Sequence, residues 1–197
     1  MKSVFKKNRR FAMLLLLMTM AAYSGFAQNR TTMTAHVTRT IHKAVVKKDA
    51  VDNGNFYFQK EDKLCLTFKN GKDAFKMNGK TYTIVMKGKK YVAKGATINL
   101  FTSLQKALVV AAEGGDLNSL RNLSDTKVAK SGHHTTVTIT PVAENAKAAK
   151  HQMFTSFIIE TEGKELKTIR MNGRGNNYTE YVLSGNAYNT AVPSNVF

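Results

Sequence analysis

Cysteine occurs once in the 197 residues, proline twice and tryptophan not at all, and Asp and Glu together number 13 against 30 Lys and Arg. The lone thiol, Cys65, excludes an intramolecular disulfide framework and any zinc site built on clustered cysteines. Two prolines and 13 glycines exclude collagen-like and Pro-rich architectures. Beyond the N-terminal segment no apolar run is long enough to span a bilayer, which needs about 20 residues. What is present is enough for a core. The chain is 43% hydrophobic and 22% charged, so it reads as folded rather than disordered, and its length suits one domain with a short appendage.

The appendage is at the N-terminus. Lys2, Lys6, Lys7, Arg9 and Arg10 precede an apolar stretch over residues 11–22 that includes Leu14-Leu15-Leu16-Leu17, and Ser24-Gly25-Phe26-Ala27 follows. A positive start, a short apolar middle and small residues before a cut after Ala27 make a secretory leader. The mature domain is therefore expected at 28–197, exported and soluble. Cys65 in such a chain reads as a small buried hydrophobe, since no His or Asn constellation points to it.

The mature chain divides into a strand meander, a helix and a second meander. Residues 32–41 alternate β-branched and polar positions. Asp52-Asn53-Gly54-Asn55 reads as a turn, Phe56-Tyr57-Phe58 as a short strand, and residues 63–69 alternate with Leu64, Leu66 and Phe68 on one face. Asn70-Gly71 and Asn78-Gly79 are hairpin dipeptides, and Lys87-Gly88-Lys89 introduces a further strand at Tyr91. Then the period changes. With Thr97 as its cap, a helix from Ile98 places Ile98, Phe101, Leu104 (or Gln105), Leu108 and Ala111 along one stripe, and Gly114-Gly115 ends it. Asp116 is placed to cap a shorter helix carrying Leu117, Leu120 and Leu123. Strands return at 135–140, 154–160, 166–171 and 178–183, with an Ala/Lys-rich connection at 144–150.

A many-stranded antiparallel sheet buries one face only if it closes or is covered. One helix can cap a curved sheet but is too small to fill a barrel of so many strands. Either the sheet's own side chains fill the interior or an apolar cavity remains under the helix.

The stretch from Gly54 through Phe56-Tyr57-Phe58 and Lys60 to Leu64 resembles the second-strand signature of the outer-membrane lipoprotein carrier (LolA-like) family. Asn78-Gly79 before a Tyr-containing strand, the mid-chain helical insert, Thr179-Glu180-Tyr181-Val182-Leu183 and the Pro193-to-Phe197 close are similar in order. The pattern covers residues 32–197. It departs from the family where Glu61 stands in place of the usual Pro, where Cys65-Leu66 replaces a common Arg and Trp, and where Lys60 replaces a common Arg. The helix usual before the first strand also has almost no room here.

The resemblance implies a mainly β fold with α: an incomplete, strongly curved antiparallel barrel with a helical lid over an apolar cavity. It further implies a periplasmic, monomeric carrier that shields the acyl chains of a lipoprotein or other lipid cargo. Such a carrier takes its cargo from an inner-membrane export complex and passes it to an outer-membrane receptor. Lys60 falls at the position that helps hold the lid closed, and Leu64 at one that matters for directed transfer. The candidate wall is Phe56, Phe58, Leu64, Leu66, Phe68, Phe75, Met77, Tyr82 and Ile84, and the candidate lid is Ile98, Phe101, Leu104 and Leu108. The other reading is a binding or sensor module of the same fold that meets a partner protein or anionic glycan through its lysines.

Enzymatic readings find no support. His133, His134 and His151 lack partners at metal-ligand spacing, Glu160 and Glu162 have no partner signal, and no helix follows the glycines at Gly173 and Gly175 to make a phosphate loop. No catalytic residue, metal or cofactor is expected, and export together with the lack of a recognised motif argues against nucleic acid.

Overall fold

A computed structural model of the chain describes residues 29–93, 96–142 and 152–197, with side chains in the helix described from Phe101 onward. The expected leader, the connection at 144–150 and the side chains of Thr97 and Ile98 lie outside the described residues.

Six strands come first: β1 (Thr32–His42), β2 (Ala50–Gln59), β3 (Lys63–Phe68), β4 (Asp73–Asn78), β5 (Thr81–Met86) and β6 (Lys89–Val92). Helix α1 (Ala96–Glu113) and a 3-10 turn (Leu117–Asn122) follow. The chain then returns to strands with β7 (Thr126–Ser131), β8 (His134–Ile139), β9 (Phe154–Glu162), β10 (Glu165–Gly173) and β11 (Tyr178–Tyr188). All eleven form one antiparallel sheet in the order β6-β5-β4-β3-β2-β1-β11-β10-β9-β8-β7. Each meander runs outward to an edge, and the first and last strands pair at the centre. Edge strands β6 and β7 are not paired with each other, so the sheet stays open. Lys89, Lys90, Lys127 and Lys130 lie on those edges, where charge discourages further strand addition.

The sheet is strongly curved, and the aromatic contacts of α1 show it. The Phe101 ring lies 5.0 Å from Phe75 on β4 and 5.7 Å from Tyr82 on β5, yet also 6.0 Å from Phe157 on β9. Strands β4 and β9 are six steps apart in the sheet order. Laid flat, they would stand about 29 Å apart at about 4.8 Å per strand. One side chain touches both because the sheet wraps around the helix. The expected half-barrel with a helix in its concavity is what the chain builds.

Pattern explains most of the elements. Met33, Ala35 and Val37 on β1, Phe56 and Phe58 on β2, and Leu64, Leu66 and Phe68 on β3 alternate into the concave face. Helix α1 answers with Phe101, Leu104, Leu108 and Ala111, while Ala107 and Ala112 let its backbone lie close to the sheet. The helix ends in a Schellman motif: Gly114 adopts φ +68°, its N–H donates to Ala111 O, and the Gly115 N–H donates to Val110 O.

Three expectations change, and one strand was not foreseen. Asp52 to Asn55 is not a turn but the middle of β2, because the Phe68 ring packs on Gly54 across the β2–β3 pair. A Cβ there would sit 2.0 Å from Thr67 O and 2.5 Å from the ring, so the glycine serves close approach rather than reversal. The helix starts at Ala96 rather than Ile98. The segment that Asp116 caps is a 3-10 turn rather than a helix; the Asp116 carboxylate accepts from the backbone and side chain of Asn118, which holds its pKa below the usual carboxylate range. Strand β7 has no expectation behind it, since its outermost position leaves Thr126 as its one buried residue.

Candidate functional site

The concave face is not fully occupied. Toward the end of the half-barrel where β1 stops and α1 begins, a cavity of about 520 Å³ remains between helix and sheet. The first meander lines it with Phe68, Phe75 and Ile84, the helix with Phe101, and the second meander with Met153, Phe154, Met171 and Tyr181. Its size falls within the range of about 300–1,000 Å³ usual for ligand sites. A neighbouring space of about 460 Å³ shares Ile41, Lys43, Met153, Phe154 and Met171 with it and carries the opening toward the β10–β11 turn. Exposed apolar side chains stand around this end: Val45 at 93%, Met153 at 68% and Met86 at 54% exposure. The β1–β2 loop that bears Val45 is anchored there, with the Ala44 N–H donating to Asn177 Oδ1 at 2.9 Å and the His42 ring 2.8 Å from Asp49.

A charged cluster is set into the greasy wall. Arg39 occupies an inward position of β1 because its register partner is Tyr181, on the buried side of β11. Its Nη2 donates to Asp52 Oδ2 at 2.6 Å and Asp73 Oδ2 at 3.2 Å, and its guanidinium lies 4.1 Å over the Phe68 ring. Lys69 Nζ lies 3.7 Å from Asp52 and 3.4 Å from Asp73. The Asp73 carboxyl is held below the usual carboxylate range, first by the backbone N–H of Lys87 and then by Arg39 and Lys69. Burial in the cavity wall pushes the Tyr181 hydroxyl up to about 12, so it stays protonated at neutral pH.

The residues singled out in the sequence divide in two. Phe68, Phe75, Ile84 and Phe101 line the cavity. Phe56, Phe58, Leu64, Leu66, Met77 and Tyr82 are buried deeper in the core, as are Leu104 and Leu108 on the helix. Lys60 lies in the β2–β3 turn, where its Nζ donates to Asn29 Oδ1 at 3.1 Å. The helix is tied to that same turn by a different residue. Gln105, 7% exposed, donates from Nε2 to Asp62 O and accepts at Oε1 from the Tyr82 hydroxyl, both at 2.8 Å. Sequence reasoning passed over Arg39 and the second-meander lining. The alternation of Phe157, Ile159, Ile169 and Met171 was the signal for the latter, whereas Arg39 looked like one more polar position between two threonines.

A groove of about 640 Å³ on the outer side of β9–β11 is polar and largely satisfied by itself: Asn172 accepts from Arg170 Nε and donates to Ser156, and Arg170 stacks on Tyr178 at 3.8 Å. Cys65 is buried, and desolvation raises its thiol to about 11, so it is an unreactive protonated group at neutral pH. Among the described residues no group of three or more His, Cys, Asp or Glu is placed to hold a metal, and no helix is long and apolar enough to cross a membrane.

No family model and no curated protein matches the sequence. Solved structures align over most of the chain. A DUF1329 family protein from Desulfovibrio piger aligns with 85% of this chain and 89% of its own, at 9% identity and a TM-score of 0.44. A LolA superfamily protein from Nitrosomonas europaea aligns over 85% and 91%, at 6% identity and 0.39. The lipoprotein LppX of Mycobacterium tuberculosis aligns over 84% and 90%, at 13% identity and 0.34.

Proposed function

We propose that this chain is an exported, non-enzymatic carrier of hydrocarbon chains, which takes up an acyl chain of a lipoprotein or other lipid and releases it toward the outer membrane. The observation that carries the reading is the unfilled apolar cavity between Phe101 and the concave sheet, open at one end beside exposed Val45, Met86 and Met153. Hydrocarbon in water costs about 0.8 kcal/mol per methylene, so ten buried methylenes recover about 8 kcal/mol, enough to hold a chain without any covalent step. An open mouth keeps that burial reversible. Residues 1–27 are the leader that exports the protein, and an inner-membrane export complex and an outer-membrane receptor are the partners the family resemblance implies.

The test is lipid content. Mature protein purified without detergent is expected to release lipid detectable by mass spectrometry. It is also expected to enhance the emission of a fluorescent acyl probe, and Ile84→Glu, which puts a carboxylate on a half-buried lining position, is expected to weaken that probe at least tenfold. A folded protein that neither carries lipid nor takes up the probe refutes the proposal.

A further inference from the structure

The cavity is apolar inside but its mouth bears mainly positive charge. Arg39, Lys43, Lys69 and Lys87 line it, and Asp73 is the one acidic lining residue among those described. The adjoining space, which Lys43 also lines, has no acidic side chain among its described lining residues. Arg39 and Lys69 are matched by Asp52 and Asp73, so their charge is spoken for. Lys43 and Lys87 are exposed and take part in no ion pair among the described residues, which leaves the mouth with surplus positive charge.

Backbone conformation adds a second observation. Lys69 has φ +52° and Lys87 φ +50°, the left-handed region that residues with a Cβ enter at a cost and that turns usually give to Gly or Asn. The turn after Asn78 follows that habit with Gly79 at φ +54°. Two of the mouth's four cations thus stand where local preference favours another residue. The cavity of about 520 Å³ and the adjoining space of about 460 Å³ share Ile41, Lys43, Met153, Phe154 and Met171, which gives a long hydrocarbon chain room to lie beneath this mouth.

Building on the carrier reading, we infer that the ligand is an amphiphile with an anionic head, a carboxylate or a phosphate. Its chain lies against Phe75, Phe101 and Phe154, and its head is held at the mouth by Lys43 and Lys87, with the Arg39–Lys69 cluster behind them. A net positive rim on low-dielectric walls concentrates such a head and orients the chain tail-first.

The experiment compares dodecanoate, dodecyl phosphate and dodecanol by calorimetry on the mature protein at low salt, each below its aggregation concentration. Both anions are expected to bind about tenfold tighter than dodecanol, with the margin shrinking as salt is raised. In Lys43→Gln/Lys87→Gln, which breaks no ion pair, the anions are expected to fall to within about twofold of dodecanol. Circular dichroism confirms that the variant is folded. Binding of one anion alone assigns the head to carboxylate or phosphate and supports the inference. Equal binding of all three ligands, or an anion preference that survives in the variant, overturns the headgroup inference and leaves the carrier reading standing. Binding of none overturns both.

Discussion

Phe101→Ala removes the side chain on which the two halves of the sheet converge. The ring is 2% exposed, with Phe75, Tyr82, Phe154 and Phe157 at centroid distances of 5.0–6.0 Å. Truncating a buried Phe costs about 3–5 kcal/mol, and four aromatic neighbours place this site at the upper end. For a domain of this size each kcal/mol lowers Tm by about 2–4 °C, so a loss of about 10–20 °C is expected in thermal unfolding followed by circular dichroism. Phe101→Leu, which keeps most of the volume, is expected to lose less than half as much. The carrier reading adds a further requirement. The Ala variant enlarges the cavity, and a hydrocarbon ligand at about 100 times its Kd restores about 2.7 kcal/mol, which recovers roughly half of the lost Tm. A loss below about 1 kcal/mol would show that α1 is not seated in the concavity. A full loss with no recovery on adding ligand would show that the space beside the ring does not accept hydrocarbon.

Two further perturbations test the scaffold. Gly54→Ala drives a methyl into Thr67 O and the Phe68 ring, and is expected to cost at least about 3 kcal/mol in urea unfolding, whereas Gly79→Ala, with open space around its Cβ position, carries only the backbone penalty of about 1–2 kcal/mol. Gln105→Leu leaves Asp62 O and the Tyr82 hydroxyl without their partner, and is expected to cost about 2–4 kcal/mol, of which Tyr82→Phe in the same chain recovers the Tyr82 share and leaves the Asp62 share; additive losses in the double variant would show that the two side chains act independently.

The fold was legible where local chemistry and burial agree. Leu64, Leu66 and Phe68 alternate and form a strand, Asn78-Gly79 makes a hairpin, and the Phe101-to-Ala111 stripe makes a helix that Gly114 ends. It was illegible where a distant side chain decides. The Asp-Asn-Gly-Asn run has turn residues throughout, yet it stays extended because Phe68, fourteen positions on, occupies the space beside Gly54. Strand β7 escaped because an edge position asks little of its sequence. The wall was sought in the first meander, where the family pattern is strongest, whereas curvature brings Phe154, Met171 and Tyr181 to the same cavity from the second. The Arg39–Asp52–Asp73–Lys69 cluster draws on three strands and a turn, and none of these residues has a local signal.

The pairing of β1 with β11 governs when this protein can come into being. Met33 faces both Phe58 and Tyr188, so the first strand is flanked on one side by near neighbours in the chain and on the other by its last segment. Until residues 178–188 arrive, half of β1's backbone groups lack partners and the helix has only one wall to lean on. Such long-range closure is slow compared with helix or hairpin formation. The two halves of the shell therefore stay separable until the chain's last strand is available, and the seam between β1 and β11 is the joint that turns two meanders into one trough.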